Sequence, residues 1–285
     1  MSTPLDTSLF VDVADAIGLG NPAIIEKDYY VVQLLGLISA LKLEHYQIVF
    51  SGGTALAKSS IRTYRMSEDI DLKLVPTPDF IQHSSRNARR EARKAVKQLI
   101  DKEIRQSSCF STEGAAQVRD EYRYFCFDIR YPQAYQQAPS LRPFIKMEFT
   151  ESELLSQPQK RDIQSIYAEV LKGADEVSGL YCASILDTQA EKLLSMLRRT
   201  ASLARDGERN DDKALIRHIY DTYHIQQAEP SDLNELASLF KKAMQADIER
   251  FGNQHPQMVE SPLQELRYGL KLLESDSIHF ERYKD

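Results

Sequence analysis

The residues best suited to chemistry lie in the stretch 48–74, IVFSGGTALAKSSIRTYRMSEDIDLKL. Asp69 and Asp71 flank Ile70, and Ile70, Leu72 and Leu74 alternate with Asp71 and Lys73, which is strand periodicity. Acids at i and i+2 on a strand share one face, with their backbones about 7 Å apart. Carboxylates that converge in this way are costly unless a cation lies between them, and hard oxygen ligands suit Mg2+. Just upstream, the β-branched and aromatic run Gln47–Ser51 meets Gly52-Gly53-Thr54, which predicts a strand, a turn and a short helix over 54–60. Paired glycines let a ligand approach the backbone, the helix start offers N–H groups to phosphate, and Thr54 adds a hydroxyl. A lone Asp-x-Asp often marks nothing more than a solvated strand face. Joined to a phosphate-binding turn, it supplies metal and phosphate sites together.

The segment resembles the AbiEii/AbiGii branch of the nucleotidyltransferases, toxins of type IV toxin–antitoxin and abortive-infection systems. The resemblance rests on Gly52-Gly53-Thr54-Ala55-Leu56 followed by Arg65-Met66-Ser67-Glu68-Asp69-Ile70-Asp71. It extends to an upstream Glu26-Lys27-Asp28-Tyr29 and to the downstream Glu191-Lys192 and Arg217-His218-Ile219-Tyr220-Asp221. The last of these carries His218 where the family pattern has Asp, and ARDGERNDDK (204–213) reads as an insertion between the two helical motifs. The gap between the Gly-Thr turn and the first Asp is longer than in minimal nucleotidyltransferases and suits this branch.

The resemblance implies a Mg2+-dependent enzyme that moves NMP from an NTP to an acceptor. Asp69 and Asp71 would hold one or two Mg2+ ions, with a third carboxylate on a neighbouring strand acting as general base or metal ligand. Glu148 in PFIKMEFT is the first candidate, because Lys146 and Glu148 share one strand face and Ile145, Met147 and Phe149 the other. Asp128, alternating with Phe127 and Ile129, is the second. Gly52, Gly53 and Thr54 would bind the outer phosphates, assisted by Lys58, Arg65 and Ser67. Lys192 would neutralise the triphosphate from a second domain, and Asp221 completes the set. The implied acceptor is the 3′ end of tRNA, with other RNA or a protein side chain as alternatives, and a cognate antitoxin is the implied partner.

Residues 85–105 hold eight Lys/Arg against three Asp/Glu, and Arg86, Arg89, Arg90, Arg93 and Lys97 fall at helical spacing. Two readings stand side by side: a stripe that tracks an RNA backbone, or a helix face with local ion pairing. The six histidines show no zinc-ligand spacing, and His218 and His224 do not share a helix face.

These groups need a scaffold, and the pattern supplies an α+β one. Residues 8–42 read as helix, with Asn21-Pro22 as a start signal, and 80–105 as a long polar helix. The segments 121–131 and 143–150 read as strands. From Ser184 onward the pattern is helical, broken at Gly207, Pro230 and the stretch 252–262. The expected fold is a nucleotidyltransferase-like mixed sheet with flanking helices over 1–175, followed by a helical domain over 176–285. Residues 151–183 form the junction, and Tyr29 and Tyr30 are expected to pack between the domains.

Composition narrows the function classes. Thirty-six basic residues against 42 acidic give a net charge of −6, which excludes a chain-wide nucleic-acid coat. Three widely spaced cysteines offer no disulfide framework and fit a reducing compartment. The first twenty residues lack a basic n-region and no window approaches a membrane span, so a cytoplasmic location is expected. Two rival functions remain at this level: a nucleotide-sugar glycosyltransferase using Asp-x-Asp, and a non-catalytic module that binds an antitoxin.

Overall fold

The helical stretch expected over 8–42 is two helices, α1 (Leu9–Ala16) and α2 (Pro22–Ser39), parted at Gly18 and Gly20. Asn21 starts α2 as its residue type dictates: its Oδ1 accepts from the Ala23 N–H at 2.9 Å, and Pro22 fills the first helical position. The structure, a computed structural model, describes residues 5–61, 63, 65–137, 141–206 and 212–284. Gly207, an expected helix break, and half of the 204–213 stretch lie outside the described residues.

After α2 come β1 (Tyr46–Ser51), α3 (Gly52–Ala57), β2 (Ile70–Pro76), α4 (Pro78–His83) and α5 (Arg86–Gln106). The 80–105 helix is thus divided at Ser84-Ser85, where the Ser85 hydroxyl caps α5 by accepting from Ala88 N–H at 3.2 Å. Four strands follow: β3 (Ser111–Thr112), β4 (Gln117–Arg119), β5 (Tyr124–Arg130) and β6 (Ile145–Glu151). The segment 151–183 adds β7 (Gln159–Ile163), α6 (Ile166–Val170) and β8 (Val177–Cys182). All eight strands join one mixed sheet in the order β3-β5-β6-β2-β1-β8-β7, with β4 also paired to β5. The sheet therefore continues past residue 175. The sequence of β7, QKRDI, is charged because it forms an exposed edge, which hides it from a search for apolar alternation.

Two compact units result, the first comprising 1–60, 64–154 and 158–183, the second 61–63, 155–157 and 184–285. In the first, alternate residues of the central strands (Ile70, Leu72 and Leu74; Phe125, Phe127 and Ile129; Ile145, Met147 and Phe149) form one apolar core. Val31, Leu34, Leu35 and Ile38 of α2 and Val96, Ile100 and Ile104 of α5 complete it. Burying each such side chain contributes about 1.5–3 kcal/mol. The intervening residues (Asp71, Lys146, Glu148, Tyr124 and Cys126) are thereby committed to the opposite face. Tyr29 and Tyr30 pack inside this unit, not between units: Tyr29 against Phe10 and Tyr167, Tyr30 against Phe110 and Tyr131.

The second unit is helical: α7 (Ile185–Arg205), α8 (Arg217–Ala228), α9 (Leu233–Phe251), α10 (Pro256–Glu260), α11 (Pro262–Ser275) and α12 (Ser277–Lys284). Leu194 of α7 packs with Ala243 of α9, Met258 of α10 and Leu266 of α11. Among the described residues no helix is long and apolar enough to cross a membrane.

Candidate active site

Strand register decides which acids meet. β2 runs antiparallel to β1 and parallel to β6, and Asp71 sits directly beside Glu148. Adjacent strands lie about 5 Å apart, so these two carboxylates leave neighbouring backbone positions on the same face. Asp128 is on the far side of β6, paired with Lys146, and so stands a strand further from Asp71 than Glu148 does. Asp69 precedes the first residue of β2 by one position.

The glycine turn is built against these acids. Gly52 has φ +77°, a conformation that β-carbon sterics oppose, and a Cβ there would fall 2.0 Å from Asp71 Oδ2. A Cβ on Gly53 would meet Ser67 Oγ at 2.9 Å and Arg65 Nη2 at 3.2 Å. Both glycines are therefore required by close approach: the first to Asp71, the second to the Arg65–Ser67 segment. Thr54 is buried, and its hydroxyl bonds Ser67 Oγ at 2.9 Å and donates to the Asp69 carbonyl. Ser51 Oγ donates to the Asp71 carbonyl at 3.2 Å. The Thr54 hydroxyl, expected on phosphate, is spent tying the turn to the acidic segment. Lys58 is similarly engaged, 2.6 Å from Asp28 on α2.

Each of two acids meets a cationic side chain. Arg142, in the segment before β6, pairs with Asp69. Lys146 pairs with Glu148, and the Tyr124 hydroxyl donates to Glu148 Oε2 at 3.0 Å. Burial pushes the Asp69 carboxyl above its ordinary range, opposed in part by Arg142. Burial works against the Lys146 ammonium, but Glu148, with smaller help from Cys126 and Asp69, outweighs it and holds the pKa above the usual lysine value. Burial and then Glu148 push the Tyr124 phenol upward, so it stays a donor.

For a divalent ion, the donor set is chemically right: three carboxylates and a cradle that a Cβ at Gly52 would fill. It is not drawn into a finished cluster, since among the described residues no three acidic, histidine or cysteine side chains gather closely enough to hold a metal. Asp69 and Glu148 are instead satisfied by Arg142 and Lys146.

Behind the site, three consecutive charges of α2 are buried, and each holds a different segment. Glu26 accepts from Ala134 N–H at 2.7 Å and from Tyr135 N–H at 3.4 Å. Lys27 pairs with Glu68 and donates to the Arg142 carbonyl at 2.7 Å. Asp28 takes Lys58 and the Ile166 N–H, the latter at 2.6 Å. Three adjacent charges in an otherwise apolar helix were visible as a signal for this. Arg142 and Tyr124 were not, because their partners lie 73 and 24 residues away in sequence.

A sequence model of the family described as "Nucleotidyl transferase AbiEii toxin, Type IV TA system" matches residues 36–283. The chain belongs to this family. The AbiEii match makes it a nucleotidyltransferase, which sets aside the sugar-transfer and non-catalytic readings. Among solved structures, MenT4, a nucleotidyltransferase toxin from Mycobacterium tuberculosis H37Rv, is similar over 98% of both chains at 16% identity, with a TM-score of 0.48. A search of curated protein sequences gave no match.

In the helical unit, the remaining expected residues come together. Lys192 on α7 reaches Asp221 on α8 at 2.8 Å, with Asp221 fully buried. His218 Nδ1 is 3.1 Å from the Lys192 carbonyl, so the neutral ring with its proton on Nδ1 donates there. Burial and the nearby Lys192 charge push His218 down to about 4. The basic stripe of α5 is largely spent within the protein. Arg86 bonds Glu121, Arg89 bonds Ser84, Arg93 is buried on Glu151, and Lys97 reaches Asp101. Arg90 stays exposed. Ion pairing and packing, not a free cationic face, account for most of the stripe.

Proposed function

We propose that this AbiEii toxin transfers a nucleoside monophosphate from an NTP to an RNA hydroxyl, with the 3′ end of tRNA as acceptor, and that the reaction is Mg2+-dependent. The acceptor oxygen attacks the α-phosphorus, a new O–P bond forms, the bond to the β-phosphate breaks, and pyrophosphate leaves. The observation that carries this reading is the register of Asp71 beside Glu148 with Gly52 packed onto Asp71.

Asp69, Asp71 and Glu148 would hold one or two Mg2+ ions, which when bound neutralise phosphate charge and act as Lewis acids. Glu148 accepts the acceptor's proton, oriented by the Tyr124 hydroxyl and by Lys146. Gly52 and Gly53 admit the outer phosphates to the backbone, with Arg65 and Ser67, on the segment that Gly53 packs against, as donors. Thr54 fixes that turn, and Lys58 anchors α3 to α2 through Asp28. By family resemblance Lys192 serves the triphosphate charge, and Asp221 holds its ammonium in place. A cognate antitoxin is the expected protein partner.

The decisive experiment incubates the protein with Mg2+, each α-labelled NTP and total cellular RNA, alongside Asp69→Ala. Label in tRNA-sized RNA that depends on Asp69 is the expected result. Label in protein or in other RNA would move the acceptor, and no Asp69-dependent label in any of them would overturn the reading.

A further inference from the structure

We propose that Arg142 is a switching ligand of this site: its guanidinium holds Asp69 before substrate arrives and moves onto nucleotide phosphate once a divalent cation takes that carboxylate. The proposal rests on the nucleotidyl-transfer reading above.

Arg142 is fixed at its backbone and free at its tip. Its N–H donates to Glu68 Oε2 at 3.1 Å, and its carbonyl accepts from Lys27 Nζ at 2.7 Å. Lys27 is itself fully buried and paired with Glu68. A buried ammonium that lost these acceptors would be left uncompensated, so this clamp does not open readily. The side chain differs: it is 44% exposed, and among the described residues its acidic partner is Asp69.

An ion pair at that exposure contributes little, and a divalent cation on the same carboxylate outcompetes it. With its Cα held by Glu68 and Lys27, the displaced guanidinium cannot leave the neighbourhood; it can only rotate about its own stem. A phosphate that shared a cation with Asp69 would come next to the carboxylate the guanidinium now holds, and a planar guanidinium binds phosphate through two parallel N–H bonds. Arg93 shows the contrasting use of the same residue: 1% exposed and bonded to both Glu151 and the Glu121 carbonyl, it has no room to move. Arg142 thus carries charge compensation for Asp69 in one state and for the nucleotide in the other, so neither is left exposed to uncompensated repulsion.

The proposal makes two predictions of opposite sign for Arg142→Gln in the full-length protein. Binding of Mn2+ alone, followed by its EPR signal, should tighten about three- to tenfold because a competitor for Asp69 is gone. Binding of NTP in the presence of Mg2+, measured by calorimetry for each of the four nucleotides, should weaken about tenfold or more. Arg142→Lys should recover part of the NTP affinity without the fork geometry. The thermal midpoint should match wild type, since both backbone bonds remain. Unchanged or weaker Mn2+ binding overturns the proposal, as does unchanged NTP binding. Wild-type NTP binding that depends on Asp69 but ignores Arg142→Gln would sink this proposal alone. No NTP binding by wild type, or binding indifferent to Asp69→Asn, would overturn the nucleotidyl-transfer reading and this proposal with it.

Discussion

The protein contains two cation–aspartate pairs built from similar groups with opposite surroundings. In the sheet unit, Arg142 and Asp69 meet with both side chains a third or more exposed. In the helical unit, Lys192 and Asp221 meet at 2.8 Å with the aspartate fully buried. A solvated pair is weak and exchangeable, because water and other ions compensate either partner when it leaves. A buried pair has no such recourse, and removing one partner strands the other in a low-dielectric site. The first arrangement suits a carboxylate that must accept a different cation during its work. The second suits an ammonium that must stay in one place.

Asp221→Ala breaks the buried pair and should cost about 3–5 kcal/mol of stability, read from urea unfolding, with much of the loss recovered when Lys192→Met is added. A loss under 1 kcal/mol would show that water reaches Lys192. Asp69→Asn is the counterpart. Transfer activity should fall about 10²–10³-fold while the unfolding free energy stays within about 1 kcal/mol of wild type. Because burial raises its carboxyl, the charge on Asp69 lowers stability as pH rises above the usual carboxylate range, so in chelator this variant should also flatten that acid-side slope.

His218 sharpens the contrast by pH. Its folded pKa of about 4 lies below the ordinary 6.5, so the unfolded chain binds the extra proton first and stability falls as pH drops from 6.5 toward 4. The wild-type loss across that window should reach roughly 3 kcal/mol at most, and His218→Gln should lack it. An unchanged pH profile in the variant would remove His218 from the buried cluster. The smallest expected effect is at the glycine turn. Gly52→Ala should cost about 1–2 kcal/mol from the positive φ, and should depress transfer by displacing the Asp71 carboxylate. Wild-type activity in that variant would mean Asp71 can move without consequence.

Much of the site was legible because its parts are close in sequence. The 48–74 segment carries strand, turn and acids within one unbroken stretch, and its glycines stand where the acids need them. The third carboxylate was legible only as a pair of candidates, since alternation within β5 and β6 puts both Asp128 and Glu148 on suitable faces. The parallel register of β2 with β6 favours Glu148, and such register involves residues 77 positions apart. Strands β7 and β8 were hidden in the presumed junction: β7 by its polar edge composition, and β8, which lies between β1 and β7, by Ser178-Gly179, which interrupt its apolar alternation. The basic run of α5 left two readings open, because composition counts charges without showing which have partners, and the partners found in the fold favour the ion-paired face.

By itself, the sequence determined the fold class and the family and nominated the acids and glycines, because local periodicity and contiguous motifs carry those. Only the tertiary structure decided that Lys27 clamps Arg142, that Arg142 sits on Asp69 and that Thr54 braces the turn. Each of those contacts joins distant segments, and its worth depends on burial, which exists only once the chain has closed around it.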